Sequence, residues 1–353
     1  MLSRNIDTIR FRIADFFAGR VSSQARLGTR PAPDTKRVFF VVHNKNHVTI
    51  FRDIAKELSA RGIECRFVTI GGHRHESQAV AALEAGMLPR IDLSEVLRSA
   101  THGDILCVGN DWGPSRLRRA IKVLKQNGVQ ILGVVEGARF LLSNQYKRVD
   151  KLLCWGPSGH DIGAKSIQIV GSPVIERAFR TRHADRTGCR VLINYKFSGT
   201  VKDKEFAWGH AAIAAAQEID PDFTFSTHPS NKNVPQQVRI SPEPFSRLLA
   251  DATVVITRSS TVIYEALASG ACVIYAPLAD EPRAEFADPA GAFEIAANAT
   301  ELREKARLHQ ANPRLDSVAA QAFLDRHVSI DPGKSAIVRI ADALTNFLVG
   351  KQG

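Results

Sequence analysis

The sequence predicts an α/β protein built as two doubly wound parallel-sheet domains facing across a cleft, with a basic amphipathic helix ahead of them. Three observations lead there. From Arg37 onward, apolar runs of strand length alternate with amphipathic stretches of helix length, the pattern of parallel strands joined by crossover helices. The alternation halts in a polar run and begins again, and 353 residues suffice for two domains. Lastly, Asp251–Leu278 reads as strand, hydroxyl-rich turn, helix, glycine, strand, which places a helix N-terminus beyond a strand end.

Residues 1–36 stand apart. Ile6, Ile9, Ile13, Phe16 and Phe17 recur at helical spacing among Arg4, Arg10, Arg12 and Arg20. That suits either a helix lying on an anionic membrane surface through residues 1–20 or one docked on the protein itself. A polar tether, Ser22–Lys36, follows. Arg37–His43 then reads as a strand, Val48–Arg61 as an amphipathic helix stopped by Gly62, and Glu64–Ile70 as a strand turned by Gly71-Gly72. Later strands are Asp104–Val108, Val129–Val135, Lys151–Cys154 and Ile167–Val170, with helices at Pro114–Gln126 and Pro157–Lys165. Gly171-Ser172-Pro173 closes this half.

The second series has strands at Arg190–Tyr195, Phe223–Ser226, Val238–Ile240, Thr253–Ile256 and Val273–Ala276. An alanine-rich helix, Phe206–Glu218, follows the first of them, and Val262–Ala268 forms a helix stopped by Gly270. Domains are thus expected at 37–180 and 189–333, with 181–188 as linker. The closing helix, within 334–353, is free to cross back to the first domain.

Composition narrows the function. A formal charge of +11 implies an acidic partner: nucleic acid, anionic lipid or a phosphorylated substrate. The charge is spread along the chain without the aromatic interleaving of single-strand binders, which argues against nucleic acid. No run of about twenty apolar residues offers a membrane span, and Arg10 and Arg12 interrupt any signal-like core. Five scattered cysteines without a C-x-x-C pair read as core thiols in a reducing, cytoplasmic compartment, peripheral to the inner face of the plasma membrane if the N-terminal helix binds it.

Two such halves, with Thr257–Thr261 (TRSST) and Ala268–Leu278 (ASGACVIYAPL) in the second, resemble the GT-B glycosyltransferases, which pair two Rossmann-like domains. His228-Pro229 with Ser259-Ser260 is similar to the HP and S/T motifs of bacterial capsule and surface polysaccharide transferases: sialyl- and polysialyltransferases, Kdo transferases and CDP-glycerol glycerophosphotransferases. Lys151–Pro173 resembles the segment closing their first domain, and that of non-hydrolysing UDP-GlcNAc 2-epimerases. Phe323–Leu348 resembles their C-terminal ending. The chain departs from the pattern at Glu136-Gly137, where many relatives carry histidine-glycine.

The resemblance implies a nucleotide-sugar donor, a glycan or lipid-linked acceptor, and a leaving phosphate stabilised without cofactor or metal. Phosphate binding then falls to His228 with Pro229, Arg258, Ser259, Ser260, Thr261 and Lys196; the hydroxyl residues equally suit helix capping. Glu265, one helical turn past Thr261, would accept from the donor ribose, or would simply complement the helix dipole. The base that deprotonates the acceptor is sought in the first domain: Glu136 first, then Asp111, each past a strand end, with His43 and His47 also open. His43, Asn44 and His47 could instead bind acceptor. His73 and His75 read as a glycine-led loop. Rival readings are a CDP-polyol phosphotransferase, a 2-epimerase needing no acceptor, and a non-catalytic nucleotide-binding protein.

Overall fold

The computed structural model describes residues 36–72, 76–111, 114–137, 146–158, 164, 166–182, 187–195, 202–227, 231, 234–235, 238–278, 281, 286–311 and 313–350. The expected N-terminal helix, and His73, His75, Lys196, His228 and Pro229, lie outside them. The chain divides into two compact units. One is drawn from Met1–Glu136, Leu142–Gly171 and Asp331–Gly353, the other chiefly from Ser172–Ile330.

The first unit holds a seven-stranded sheet in the order β3-β2-β1-β4-β5-β6-β7. Its strands are β1 (Arg37–Val41), β2 (Glu64–Thr69), β3 (Arg90–Asp92), β4 (Ile105–Val108), β5 (Gln130–Val134), β6 (Lys151–Cys154) and β7 (Ile167–Ile169). Every pairing is parallel, so both faces are covered and the inner strands read as unbroken apolar runs. Helices α1 (Lys45–Ala60), α2 (Glu76–Ala85), α3 (Leu93–Ser99) and α4 (Ser115–Gln126) link them. The winding reverses between β1 and β4. Crevices beyond the carboxyl ends at such a switch point are where doubly wound sheets take ligands.

The second unit has five parallel strands in the order β12-β11-β10-β8-β9. These are β8 (Val191–Tyr195), β9 (Thr224–Thr227), β10 (Val254–Thr257), β11 (Cys272–Tyr275) and β12 (Glu294–Ile295). Around them run α5 (Pro173–Arg180), α6 (Lys202–Ile219), α7 (Phe245–Asp251), α8 (Val262–Ser269), α9 (Ala299–Leu308) and α10 (Ser317–His327). Here the winding reverses between β8 and β10, so Arg258–Thr261 emerge at that switch point. The last helix, α11 (Ala336–Leu348), belongs to the first unit. Ser335 caps it by accepting from the Val338 N–H at 3.3 Å. Its Ile340, Leu344 and Leu348 enter the same core as Phe40, Phe51 and Ile54, and Asp342 pairs with Arg61 at 2.7 Å.

Several expectations change. Val238–Ile240 forms no strand; Ile240 makes a single bridge to Phe225. Of the helix expected at Pro157–Lys165, the described residues show only a short turn at Pro157–Ser158. Pro173, expected in a closing turn, opens α5 instead, with the Ser172 hydroxyl accepting from Ile175 N–H at 3.5 Å. Because α5 packs on α8, the units divide at Gly171 and Ser172, ahead of the polar run at 181–188. Four of the five cysteines are buried and all are free thiols. Among the described residues no helix is long and apolar enough to cross a membrane.

Candidate functional site

In the first unit, polar side chains gather where β1, β4 and β5 end. The backbone after β1 turns at Asn44, whose extended conformation suits an N-cap and whose side chain accepts from the His47 N–H at 3.0 Å. That cap starts α1 and fixes where the His47 ring begins. His47 is fully buried and His43 is 4% exposed. Their rings meet edge to face with centroids 4.3 Å apart.

Glu136, two residues past β5, completes the cluster. The His47 Nε2 faces Glu136 Oε2 within hydrogen-bond reach. Asn110, just past β4 and 1% exposed, donates to Oε1 at 2.8 Å. The same amide nitrogen stands 3.3 Å from His43 Nε2. Burial works to raise the Glu136 carboxyl. It is outweighed by the charge and hydrogen bond of His47, the Asn110 hydrogen bond and the charge of His43, which together hold it below the ordinary carboxylate range. With 19% of its side chain exposed, Glu136 is the one member of this set with appreciable access to solvent.

Asp111 fares differently from its expected role. Its side chain is fully buried, one carboxylate oxygen accepts the Arg148 backbone N–H, and the other lies 3.7 Å from the Arg148 guanidinium. Burial raises this carboxyl while Arg148 pulls it back. An enclosed and already engaged carboxylate is placed to hold Arg148, not to reach an acceptor. Asn44 likewise uses its side-chain oxygen on the helix cap. Tyr146, which the sequence reading did not single out, is fully buried and donates to the carbonyls of Gly109 and Val134, tying the ends of β4 and β5 together.

In the second unit, β10 ends at Thr257 and the chain enters α8 through Arg258-Ser259-Ser260-Thr261. Arg258 is not offered to a ligand. Its side chain is fully buried and its guanidinium pairs with Glu281 and, at 3.6 Å, with Glu205 of α6, so its charge is neutralised within the protein. Ser259 also turns inward: it is 1% exposed and its hydroxyl bonds the Tyr275 hydroxyl at 2.6 Å. Ser260 accepts from the Val262 N–H at 3.3 Å and so caps the helix. Thr261 sits at the N-cap without closing it by its side chain. Ser260 and Thr261 remain half-buried, on the accessible side of the turn.

Glu265 lies one turn into α8. Burial pushes its carboxyl up to about 7, against a weaker downward pull from Arg177 on α5. The left-handed Gly270 (φ 87°) ends α8 and lets the chain return as β11. β9 ends at Thr227 at the same, carboxyl, end of the sheet as β10, because both pair parallel with β8 between them. His228 is the next residue in sequence. Among the described residues no three His, Cys, Asp or Glu side chains gather to hold a metal ion.

The residues missed in the sequence were Asn110, Tyr146, Glu205, Glu281 and Tyr275. Asn110 had a signal, the Gly-Asn-Asp run directly after a buried strand. The others meet their partners only through the fold.

With this geometry in place, the chain is found similar to several solved structures. MurG of Acinetobacter baumannii matches over 88% of this chain and 100% of its own, at 14% identity and a TM-score of 0.55. The Methanocaldococcus jannaschii UDP-GlcNAc 2-epimerase, solved with UDP-GlcNAc and UDP, matches over 82% and 98%, at 14% identity and 0.55. The wall teichoic acid polymerase TagF, soaked with CDPG, matches over 99% of each chain, at 14% identity and 0.54. No family model matches the chain, and no curated protein does. What these likenesses establish is the architecture: two parallel-sheet α/β units in the GT-B fold.

Proposed function

We propose that the protein is a glycosyltransferase that moves a sugar from a nucleotide-activated donor to a cell-surface glycan or its lipid-linked precursor. The observation that carries this reading is Glu136, a solvent-reachable carboxylate gripped at both oxygens by His47 and Asn110, which flank the switch point of the first sheet. A general base needs an ionised, oriented group at such a place. A carboxyl held this low does not strip a hydroxyl beforehand. It takes the acceptor proton as the new C–O bond forms and the sugar–phosphate bond breaks.

The second unit supports the leaving group. The positive end of the α8 dipole, with the Ser260 and Thr261 hydroxyls, favours a phosphate that gains charge as it departs. His228 donates to the same phosphate beside Pro229, and Lys196 adds positive charge. Glu265 accepts from the ribose hydroxyls. No metal is required of this scheme. Residues 1–20 and the positive net charge hold the enzyme peripherally on the cytoplasmic face of an anionic membrane near its acceptor.

Among known folds of this type, the TagF match spans nearly all of both chains, which favours a second reading: transfer of a polyol phosphate from a CDP donor. A thermal-shift screen with CMP, CDP, UDP, GDP and dTDP separates the readings by base. Under the main proposal one nucleotide raises Tm, His228→Ala abolishes that rise, and Glu136→Gln keeps it while abolishing transfer. A chain that binds no nucleotide, or turns over a nucleotide sugar with no acceptor present, is not this enzyme.

A further inference from the structure

His47 is the fully buried member of the first-unit cluster, closed off from any substrate, yet three separate features serve its contact with Glu136. Asn44 anchors its backbone at the start of α1. Gly109 has no side chain where a Cβ would stand 2.6 Å from His47 Nε2. Phe51, one helical turn along, packs against the ring with centroids 6.0 Å apart. With Asn110 on Oε1 and His47 on Oε2, donors from two different segments fix both carboxylate oxygens.

We propose that His47 is a positioning residue: without touching substrate, it locks the Glu136 side chain in one orientation and keeps it ionised, so that Glu136 alone meets the acceptor. The inference rests on reading Glu136 as the base. The titratable groups facing Glu136 are His47 from α1, His43 beyond β1 and Tyr146 ahead of β6, with Asp111 behind Asn110. Tyr146 stays neutral because burial raises its hydroxyl well above the usual range. Asp111 is tied to Arg148. The groups that favour the charged form of Glu136 are therefore the two imidazoles and the Asn110 amide, and His47 comes first among them.

The test uses the full chain with two readouts. One is the acidic limb of the kcat–pH profile. The other is a carbon-13 NMR titration of glutamate side-chain carboxyls, with the Glu136 signal assigned from E136Q, which needs no turnover. His47→Phe removes the imidazole and its hydrogen bond outright; His47→Gln keeps an N–H donor in its place. For the phenylalanine variant the expected result is a Glu136 midpoint and acidic limb moved upward by about one pH unit. Its kcat falls about tenfold or more with donor KM unchanged. The glutamine variant shifts less and recovers most of the rate. If the phenylalanine variant does not fold, the upward NMR shift in the glutamine variant carries the test. A Glu136 midpoint unmoved by loss of His47 overturns the proposal. An active E136Q would refute the base reading instead, and the NMR titration would still decide what His47 does.

Discussion

Gly109 lies so close to His47 that a β-carbon on it would come within 2.6 Å of Nε2 and 2.8 Å of Cδ2. The ring cannot retreat, because it is fully buried beside Phe51 and His43. A methyl group at residue 109 must therefore displace the imidazole from Glu136 or shift the end of β4. Gly109→Ala is expected to cost about 1–3 kcal/mol of stability, read from urea unfolding, together with a loss of transfer activity under conditions where the variant is fully folded. Full activity in the alanine variant would show that the ring has room to move.

That relationship also marks what the sequence can and cannot disclose. The strands and the α8 turn were legible because buried parallel strands are unbroken apolar runs and because Ser-Ser-Thr before Val262 and Gly270 after Ser269 punctuate a helix. Glu136 was legible as a carboxylate directly after one such run. Its partners were not. His47 and Glu136 are 89 residues apart and Arg258 and Glu205 are 53 apart, so neither pairing has a local pattern. The arginine beside a hydroxyl-rich turn read as a phosphate ligand for the same reason: sequence shows its charge but not the two carboxylates that claim it. The short β3, α3 and β12 escaped notice because two to seven residues carry too little periodicity to register.

Arg258 tests that correction directly. Glu205 is 1% exposed and Glu281 has 11% of its side chain exposed, so removing the guanidinium leaves two buried carboxylates without their shared counter-charge. Breaking a buried pair from one side typically costs about 3–5 kcal/mol. Arg258→Met should show a loss of that order by chemical denaturation, and adding Glu205→Gln to the same chain should return part of it. A phosphate ligand would behave in the opposite way: stability in the absence of nucleotide would barely change and donor affinity alone would fall.

Neighbouring serines should separate cleanly. The Ser259 hydroxyl is buried against Tyr275, whereas Ser260 is half-buried at the helix start. Ser259→Ala leaves the Tyr275 hydroxyl without this partner and is expected to cost about 1–3 kcal/mol with little change in nucleotide affinity. Tyr275→Phe in the same chain should then cost little more, since both members of the bond are gone. Ser260→Ala should weaken nucleotide binding several-fold at a smaller cost in Tm. Calorimetric titration beside thermal melts checks both, and the reverse ranking would place Ser259 in the donor site.

Glu265 makes pH the last test. Its folded carboxyl sits at about 7, raised by burial above an ordinary value of 4.5. The sign follows from which form the fold prefers: the neutral one. Stability from this group is complete below about pH 4.5 and drains away as pH climbs through 7. Glu265→Gln, neutral throughout, should match the parent near pH 4 and exceed it at pH 8, by about 1–3 kcal/mol. Donor binding should run the other way. Ribose hydroxyls donate to the charged form, so a nucleotide stabilises the carboxylate and drives a proton off below pH 7. Calorimetry at pH 6 in buffers of different ionisation enthalpy should detect that release in the parent and find it diminished in Glu265→Gln, the remainder belonging to the phosphate. Equal release in both would remove Glu265 from the donor site and leave it a half-buried acid that merely weakens the fold at high pH.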